Sequence, residues 1–262
     1  MKVIFFDVDG TLIDCESGIK NPTMKTKEAL RKLKSEGNII VLSTGRAKSF
    51  LNKEILDLDF DGFITSNGSY IEFRGEELLN NCIDNTLLEE IITFFEINNI
   101  EYIIECQEKS ELSDLESETL QRLIEVCSIP RDRLVNKGSL KEIKANKLVV
   151  CLDNKEKYRM VTEKYGNKFN FMGFSEMSTY DMYVNNYSKG YAINKLIEIL
   201  NIDRKETYAF GDGINDVEMF KIVNKGIAMG GAKKGLLKYS YDNTKSVEED
   251  GVYYGLKKLN LI

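Results

Sequence analysis

Residues 2 to 11 constrain the fold more than any other stretch of the chain. Lys2 is followed by four apolar residues, Val3, Ile4, Phe5 and Phe6, and the run breaks into Asp7-Val8-Asp9-Gly10-Thr11. A continuous apolar run rich in β-branched and aromatic residues, stopped by a glycine turn, reads as a buried strand of a parallel sheet. Two aspartates therefore stand at its carboxyl end, the end that faces the ligand crevice in an open α/β sheet. Neighbouring carboxylates repel unless a cation lies between them, and hard oxygen ligands of this kind favour Mg²⁺. Taken alone, D-x-D-G after an apolar run is more often a solvated turn than a site, so its meaning depends on the rest of the chain.

The next strands repeat the pattern. Pro22 and Thr23 precede a surface helix with Ala29, Leu30 and Leu33 on one face, ending at Gly37. Ile39-Ile40-Val41-Leu42 is a second buried strand, which empties into Ser43-Thr44-Gly45-Arg46 ahead of a helix expected from about Ala47. Hydroxyl and backbone N–H groups at such a turn can hold phosphate oxygens, although Ser and Thr also cap helices routinely. A third run, Gly62 to Thr65, leads through Ser66-Asn67-Gly68, a turn signal, to a hairpin arm at Tyr70, Ile71 and Phe73.

From about Asn81 the character of the chain changes. A helical stripe (Leu87, Leu88, Ile91, Ile92, Phe95) is followed by a strand at Tyr102 to Ile104 and an acidic segment, Glu105 to Glu118, that reads as a solvated helix face or loop. Helices are expected at Leu120 to Val126 and Lys155 to Tyr165, with strands at Lys147 to Leu152, Lys168 to Phe171 and Asp181 to Val184. This stretch makes its own α+β unit and contains no recognisable catalytic cluster.

The alternation of strand and helix resumes at Ser188-Lys189-Gly190, which opens a helix with Ile193, Leu196, Ile197 and Leu200 on its buried face and directs the Lys189 charge towards the strand ends. Thr207 to Phe210 is another short strand, ending in Gly211-Asp212-Gly213-Ile214-Asn215-Asp216 before the helix of Met219, Phe220 and Val223. Two Asp and one Asn within six residues exceed what helix capping needs. A last strand at Gly226 to Met229 and an amphipathic tail, Val252 to Leu259, complete the pattern.

Composition removes several chemistries. The chain of 262 residues has no histidine, which excludes Ser-His-Asp and Cys-His machinery and every His-ligated metal site. Acid and base work falls to Asp, Glu, Lys or Tyr. Five scattered cysteines, odd in number and without a C-x-x-C pair, read as small buried or partly buried thiols rather than a disulfide framework or zinc site. A net charge of −6 argues against nucleic acid and anionic membrane as partners. No apolar stretch reaches the roughly 20 residues that span a bilayer, and no signal-peptide pattern precedes the first strand, so a cytoplasmic location is expected.

As a set, Asp7-Val8-Asp9-Gly10-Thr11, Thr44-Gly45-Arg46, Ser188-Lys189-Gly190 and Gly211-Asp212-Gly213-Ile214-Asn215-Asp216 resemble the four motifs of the haloacid dehalogenase superfamily, in order and at suitable spacing. The long insertion between the second and third motifs resembles a C2-type (C2B-like) cap. The closing stretches Ala228-Met229-Gly230-Gly231-Ala232 and Glu249-Asp250-Gly251-Val252 resemble the Cof-type sugar-phosphatase branch, with Gly231 and Tyr241 departing from common choices there. The resemblance implies an α/β fold, a Rossmann-like doubly wound parallel sheet formed by residues 1–80 and 187–262, with residues 81–186 an inserted α+β cap domain. It implies hydrolysis of small phosphate monoesters, sugar phosphates first, with a phosphomutase or phosphotransferase, or a non-catalytic binding protein, as alternatives on the same scaffold. Asp7 would be the nucleophile and Asp9 the general acid and base. Mg²⁺ would be held by Asp7, the Asp9 backbone carbonyl and Asp212. Val8, Thr44, Gly45, Lys189 and Asn215 would hold the phosphate, and Asp216 would orient the groups that do so. The expected partner is a small phosphorylated metabolite.

Overall fold

The structure, a computed structural model, describes residues 1–173 and 178–262. The chain divides into two compact units, one of Met1–Gly45, Asn52–Leu79 and Ser188–Ile262, the other of Arg46–Leu51 and Asn80–Tyr187. In chain order the elements begin with β1 (Val3–Phe6), α1 (Met24–Ser35), β2 (Ile39–Ser43), α2 (Lys53–Leu56), β3 (Gly62–Thr65), β4 (Tyr70–Phe73) and β5 (Glu76–Asn80). There follow α3 (Asn85–Ile97), β6 (Tyr102–Glu105), β7 (Ser110–Leu112), α4 (Glu118–Val126), β8 (Leu134–Asn136), β9 (Lys147–Cys151), α5 (Lys155–Tyr165), β10 (Phe169–Gly173) and β11 (Thr179–Val184). The chain continues with α6 (Lys189–Ile199), β12 (Thr207–Gly211), α7 (Val217–Ile222), β13 (Lys225–Ala228), α8 (Lys234–Leu237), β14 (Asp242–Asn243) and α9 (Gly251–Lys258).

Among the described residues the first unit builds a sheet in the order β14-β13-β12-β1-β2-β3-β4-β5. The strands from β14 to β3 run parallel, and β4 turns back antiparallel on β3. Chain order moves outward from β1 in one direction through β2 and β3, and from β12 in the other through β13 and β14. The boundary between β1 and β12 is therefore the topological switch point of a doubly wound sheet, where a crevice opens at the carboxyl ends. All four residues of β1 are buried, as the unbroken apolar run requires. Val3 and Phe5 pack with Ile193, Leu196 and Ile197 of α6, while Phe6 stacks on Phe210 at 5.3 Å. Thr23 caps α1 by accepting the Thr26 N–H at 3.2 Å.

The second unit has a sheet in the order β10-β11-β9-β6-β7-β8 among the described residues, antiparallel except between β7 and β8. Strand alternation sorts its residues onto two faces. Tyr102, Ile104, Leu148, Val150 and Met182 pack against Leu88, Ile91, Ile92 and Phe95 of α3 and Val161 and Tyr165 of α5. Ile103, Val149 and Cys151 share a second cluster with Leu120, Leu123 and Ile124 of α4 and with Phe50.

Two local expectations are corrected here. Helix does not begin at Ala47: a single 3₁₀ turn, Lys48–Phe50, stands there, and α2 starts only after the Asn52 cap. Ala47 before the turn and Leu51 after it are both extended, so the turn cannot lengthen, and the Ala47 and Lys48 N–H groups are capped by the side chains of Glu105 (3.0 Å) and Gln107 (3.1 Å). Nor is Glu105 to Glu118 merely a solvated face. Glu105 is fully buried at the end of β6, ion-paired to Lys147 (3.0 Å), which also meets Asp181 (2.7 Å), and β7 lies within the segment. The cysteines are free thiols, Cys106 and Cys151 buried and the other three half-buried. No helix among the described residues is long and apolar enough to cross a membrane.

Candidate active site

The site is assembled from loops at the carboxyl ends of β1, β2, β3 and β12 together with the start of α6. Asp7 extends β1 by one ladder bond, its N–H donating to the Phe210 carbonyl at 3.0 Å, and is 4% exposed. The chain then folds back sharply, because the Val8 carbonyl accepts N–H groups from Thr11, Leu12 and Ile13 at 3.3, 2.8 and 3.0 Å. This tight loop leaves Asp7 and Val8 inside and Asp9 exposed. The two carboxylates of the D-x-D pair thus sit in different surroundings, a separation that suits two different chemical roles. Gly10 has φ +72, and a Cβ there would stand 2.3 Å from the Asp212 carboxylate carbon. Only glycine lets the loop after β1 lie so closely on the loop after β12.

Lys189 lies at the centre. Its Nζ donates to Asp7 Oδ1 at 2.6 Å and to Asp216 Oδ1 at 2.7 Å, and the residue is 1% exposed. The first turn of α6 fixes it, with Ser188 capping the Tyr191 N–H at 3.1 Å and donating to Glu218 Oε2 at 2.7 Å. Asp216 is fully committed: besides Lys189 it accepts the N–H groups of Asp212 and Gly213, each at 2.9 Å, through Oδ2. It therefore holds both Lys189 and the Asp212 loop in register. Carboxylate oxygens of Asp7, Asp212 and Asp216 all lie within 4.8 Å of one another.

Electrostatics follow from this crowding. Burial raises the Asp7 carboxyl well above its usual range, with Asp216 adding to the rise, Lys189 opposing it, and Asp212 and Asp9 contributing further. Burial and Asp216 likewise push Asp212 up to about 7 against the pull of Lys189. Burial works against the charge on Lys189, but Asp216 and Asp7 outweigh it and raise its pKa. The cluster holds more negative charge than one ammonium balances. An acidic group of this kind, built from hard oxygens with Asp212 half-buried, fits a Mg²⁺ ion, which demands such ligands and brings the missing positive charge.

The remaining expected residues gather beside this cluster. Thr44 is buried, donating its N–H to the Ile64 carbonyl at 2.9 Å, and its carbonyl accepts the Asn67 N–H at 3.2 Å. Gly45 and Asn215 are half-buried. Asn215 Nδ2 donates to Asn67 Oδ1 at 3.4 Å. Asn67 itself is not evident as a site residue from the sequence, where Asn-Gly signals a turn and nothing more. The available signal was its place at the end of a strand adjacent to β2, on the same sheet edge. The Asp9 carboxylate lies outside the acidic group of Asp7, Asp212 and Asp216; the ligand atom expected from Asp9 is its backbone carbonyl.

A family profile described as haloacid dehalogenase-like hydrolase matches residues 4–256. The YkrA protein of Bacillus subtilis (strain 168) is 32% identical over 267 residues, covering 100% of this chain and 98% of the relative. The 5-amino-6-(5-phospho-D-ribitylamino)uracil phosphatase YwtE of the same organism is 27% identical over 287 residues, covering 99% of this chain and 98% of its own length. Among solved structures, that of the haloacid dehalogenase subclass IIB sugar phosphatase BT4131 superposes with a TM-score of 0.83 at 24% identity, covering 100% of each chain. That likeness shows the fold.

Proposed function

Since the chain belongs to the haloacid dehalogenase-like hydrolases and is a phosphatase of that family, we propose that it is a Mg²⁺-dependent hydrolase of small phosphate monoesters that works through an aspartyl-phosphate on Asp7. The observation that carries this reading is that Asp7, paired with Lys189 at 2.6 Å at the carboxyl end of the central strand, shares its surroundings with Asp212 and Asp216, carboxylate oxygens of all three lying within 4.8 Å of one another. A carboxylate nucleophile needs no histidine to activate it. Asp7 attacks phosphorus, the bond from phosphorus to the ester oxygen breaks, and Asp9 gives its proton to that leaving oxygen. Asp9 then takes a proton from water, whose oxygen attacks the phosphorus of the aspartyl-phosphate, releasing inorganic phosphate and restoring the Asp7 carboxylate. Lys189 keeps Asp7 oriented and, with Thr44, Asn215 and the backbone of Val8 and Gly45, meets charge on the phosphoryl oxygens. Asp7, Asp212 and the Asp9 carbonyl would hold Mg²⁺, which when bound supplies charge that offsets repulsion between nucleophile and phosphate. Asp216 orients Lys189 and the Asp212 loop.

The loops of the first unit carry groups for the phosphate alone, so we assign choice of the leaving group to residues 81–186, acting as a cap. Sugar phosphates head the candidates. Two features support them: the acidic chain disfavours polyanions, and the relative YwtE bears a name specifying a phosphate ester on a ribityl chain. The test is phosphate release from an aryl phosphate and a panel of sugar phosphates, with Mg²⁺ and with EDTA. Stoichiometric inorganic phosphate and dephosphorylated sugar, lost in EDTA and restored by Mg²⁺, is the expected outcome. An isomeric sugar phosphate would assign a mutase instead, and full activity in chelator would overturn the metal site.

A further inference from the structure

The turn between β3 and β4 has no part in the reaction just described, yet its backbone is unusual. Ser66, Asn67 and Gly68 are consecutive and all left-handed, with φ of 51, 54 and 90 degrees. Non-glycine residues seldom enter this region, and they persist there only where the surroundings over-determine them. Here the surroundings are the site's own loops. The Asn67 N–H donates to the Thr44 carbonyl at 3.2 Å. Its Oδ1 accepts from Asn215 Nδ2 at 3.4 Å and lies 3.0 Å from where a Cβ on Gly45 would stand. Gly68 faces the Ser188 carbonyl, which would be 2.1 Å from a Cβ at that position. One turn therefore touches the loops that present Thr44, Gly45, Lys189 and Asn215. Asn67 is 2% exposed, and among the described residues its Nδ2 has no hydrogen-bond partner. A buried donor left without a partner costs stability, and native proteins seldom carry one without a reason.

We infer that Asn67 is a positioning residue for the phosphoryl-binding loops, an inference that rests on reading this site as a phosphatase. Its backbone N–H holds Thr44, its Oδ1 sets the Asn215 amide beside Gly45, and its uncommitted Nδ2 turns a positive dipole end towards loops that receive an anion. A carboxylate at this position would have nearly the same shape and the opposite electrostatic effect.

Two variants isolate the amide. Asn67→Gly keeps a left-handed backbone and removes the side chain, and Asn67→Asp keeps the shape, as both residue types tolerate positive φ. The readouts are kcat and KM for a phosphate monoester, the inhibition constant of inorganic phosphate, and the thermal midpoint, with Asp7→Asn as the inactive reference. Asn67→Asp should lower kcat/KM by about 10²-fold and Asn67→Gly by about 10-fold, and both should weaken inhibition by phosphate. Combining Asn67→Gly with Asn215→Ala should cost less than the product of the separate losses, because the first acts partly through the second. Wild-type kcat/KM and phosphate inhibition in both variants would overturn the inference, as would strictly multiplicative losses. A wild-type chain that releases no phosphate and is indifferent to Asp7→Asn would instead overturn the phosphatase reading itself.

Discussion

Each unit of this protein buries a lysine between two carboxylates. In the first, Lys189 meets Asp7 and Asp216 at 2.6 and 2.7 Å; in the second, Lys147 meets Glu105 and Asp181 at 3.0 and 2.7 Å. Both lysines are almost wholly buried. The contents are nearly identical and the settings are not. The Lys147 triad stands on strands β6, β9 and β11, on the sheet face of Val149 and Ile103, and its Glu105 accepts the Ala47 N–H. The Lys189 triad stands where strands end, its two carboxylates lie within 4.8 Å of a third, half-buried one on Asp212, and its Asp7 is two residues from the exposed Asp9. On the function proposed above, a buried lysine–carboxylate triad is not itself a mark of catalysis. What sets the Lys189 group apart is that Asp7 and Asp216 stand in loops beyond the strand ends, with the additional, half-buried carboxylate of Asp212 beside them.

The largest expected effect sharpens that contrast. Lys189→Met should lower kcat by about 10³-fold on any phosphate ester, the scale of losing one charge-stabilising donor. Lys147→Met leaves two buried carboxylates without their cation and should cost about 3–5 kcal/mol of stability, while kcat for a small aryl phosphate, per folded molecule, stays near wild type. Denaturant titration beside steady-state kinetics checks both. A Lys147→Met protein that is stable but inactive would erase the distinction.

The Lys189 triad was largely legible because each member ends or follows a recognisable apolar run: Asp7 after Val3 to Phe6, Asp216 after Thr207 to Phe210, Lys189 at the mouth of an amphipathic helix. The Lys147 triad was not. Glu105 reads as the first residue of an acidic stretch, and only pairing of β6 with β9 and of β9 with β11 brings Lys147 and Asp181 to it. Periodicity sees the apolar alternation of one strand, not which polar residue its neighbour will neutralise. For the same reason the short turn after Ala47 does not show in the sequence, since the side chains that hold its first N–H groups, Glu105 and Gln107, come from far along the chain. The strands β5, β8 and β14 are exposed or too short to show a pattern. The Asn-Gly pair reads as a turn, but three successive left-handed residues and their three neighbouring loops are tertiary facts.

A next effect concerns the two aspartates of the first loop, one buried and one exposed. Asp9→Asn should reduce turnover of alkyl phosphates by about 10²-fold, the low end of what general-acid help contributes, and lose far less with a nitrophenyl ester, whose leaving group needs no proton. Comparing the two substrates at saturating Mg²⁺ decides it. Equal losses would leave Asp9 without a role in proton transfer.

The smallest effect belongs to the Lys147 triad. Burial pushes the Glu105 carboxyl up to about 7, with Lys147 opposing and Asp181 adding to the rise. A carboxyl whose pKa is higher in the folded state than unfolded stabilises the fold when protonated, and that contribution fades as pH rises from the ordinary value of 4.5 through about 7. Glu105→Gln mimics the protonated form and keeps an acceptor for the Ala47 N–H. Its thermal midpoint should therefore gain on wild type between pH 4.5 and about 7, the window set by those two values, and level off above it. A gap that narrows with rising pH would show that the ionised carboxylate is the stabilising form.

The central claim is that Asp7 is a nucleophile and not a bystander in a salt bridge. It is tested most directly by acid-quenching the enzyme with a phosphate monoester and Mg²⁺ within a single turnover and mapping its peptides by mass spectrometry. The account predicts a base-labile phosphoryl group on the peptide containing Asp7, appearing no later than the released alcohol, disappearing as inorganic phosphate forms, and absent in Asp7→Asn. Alcohol and phosphate released together with no adduct at any quench time, or an adduct on another residue, would contradict it.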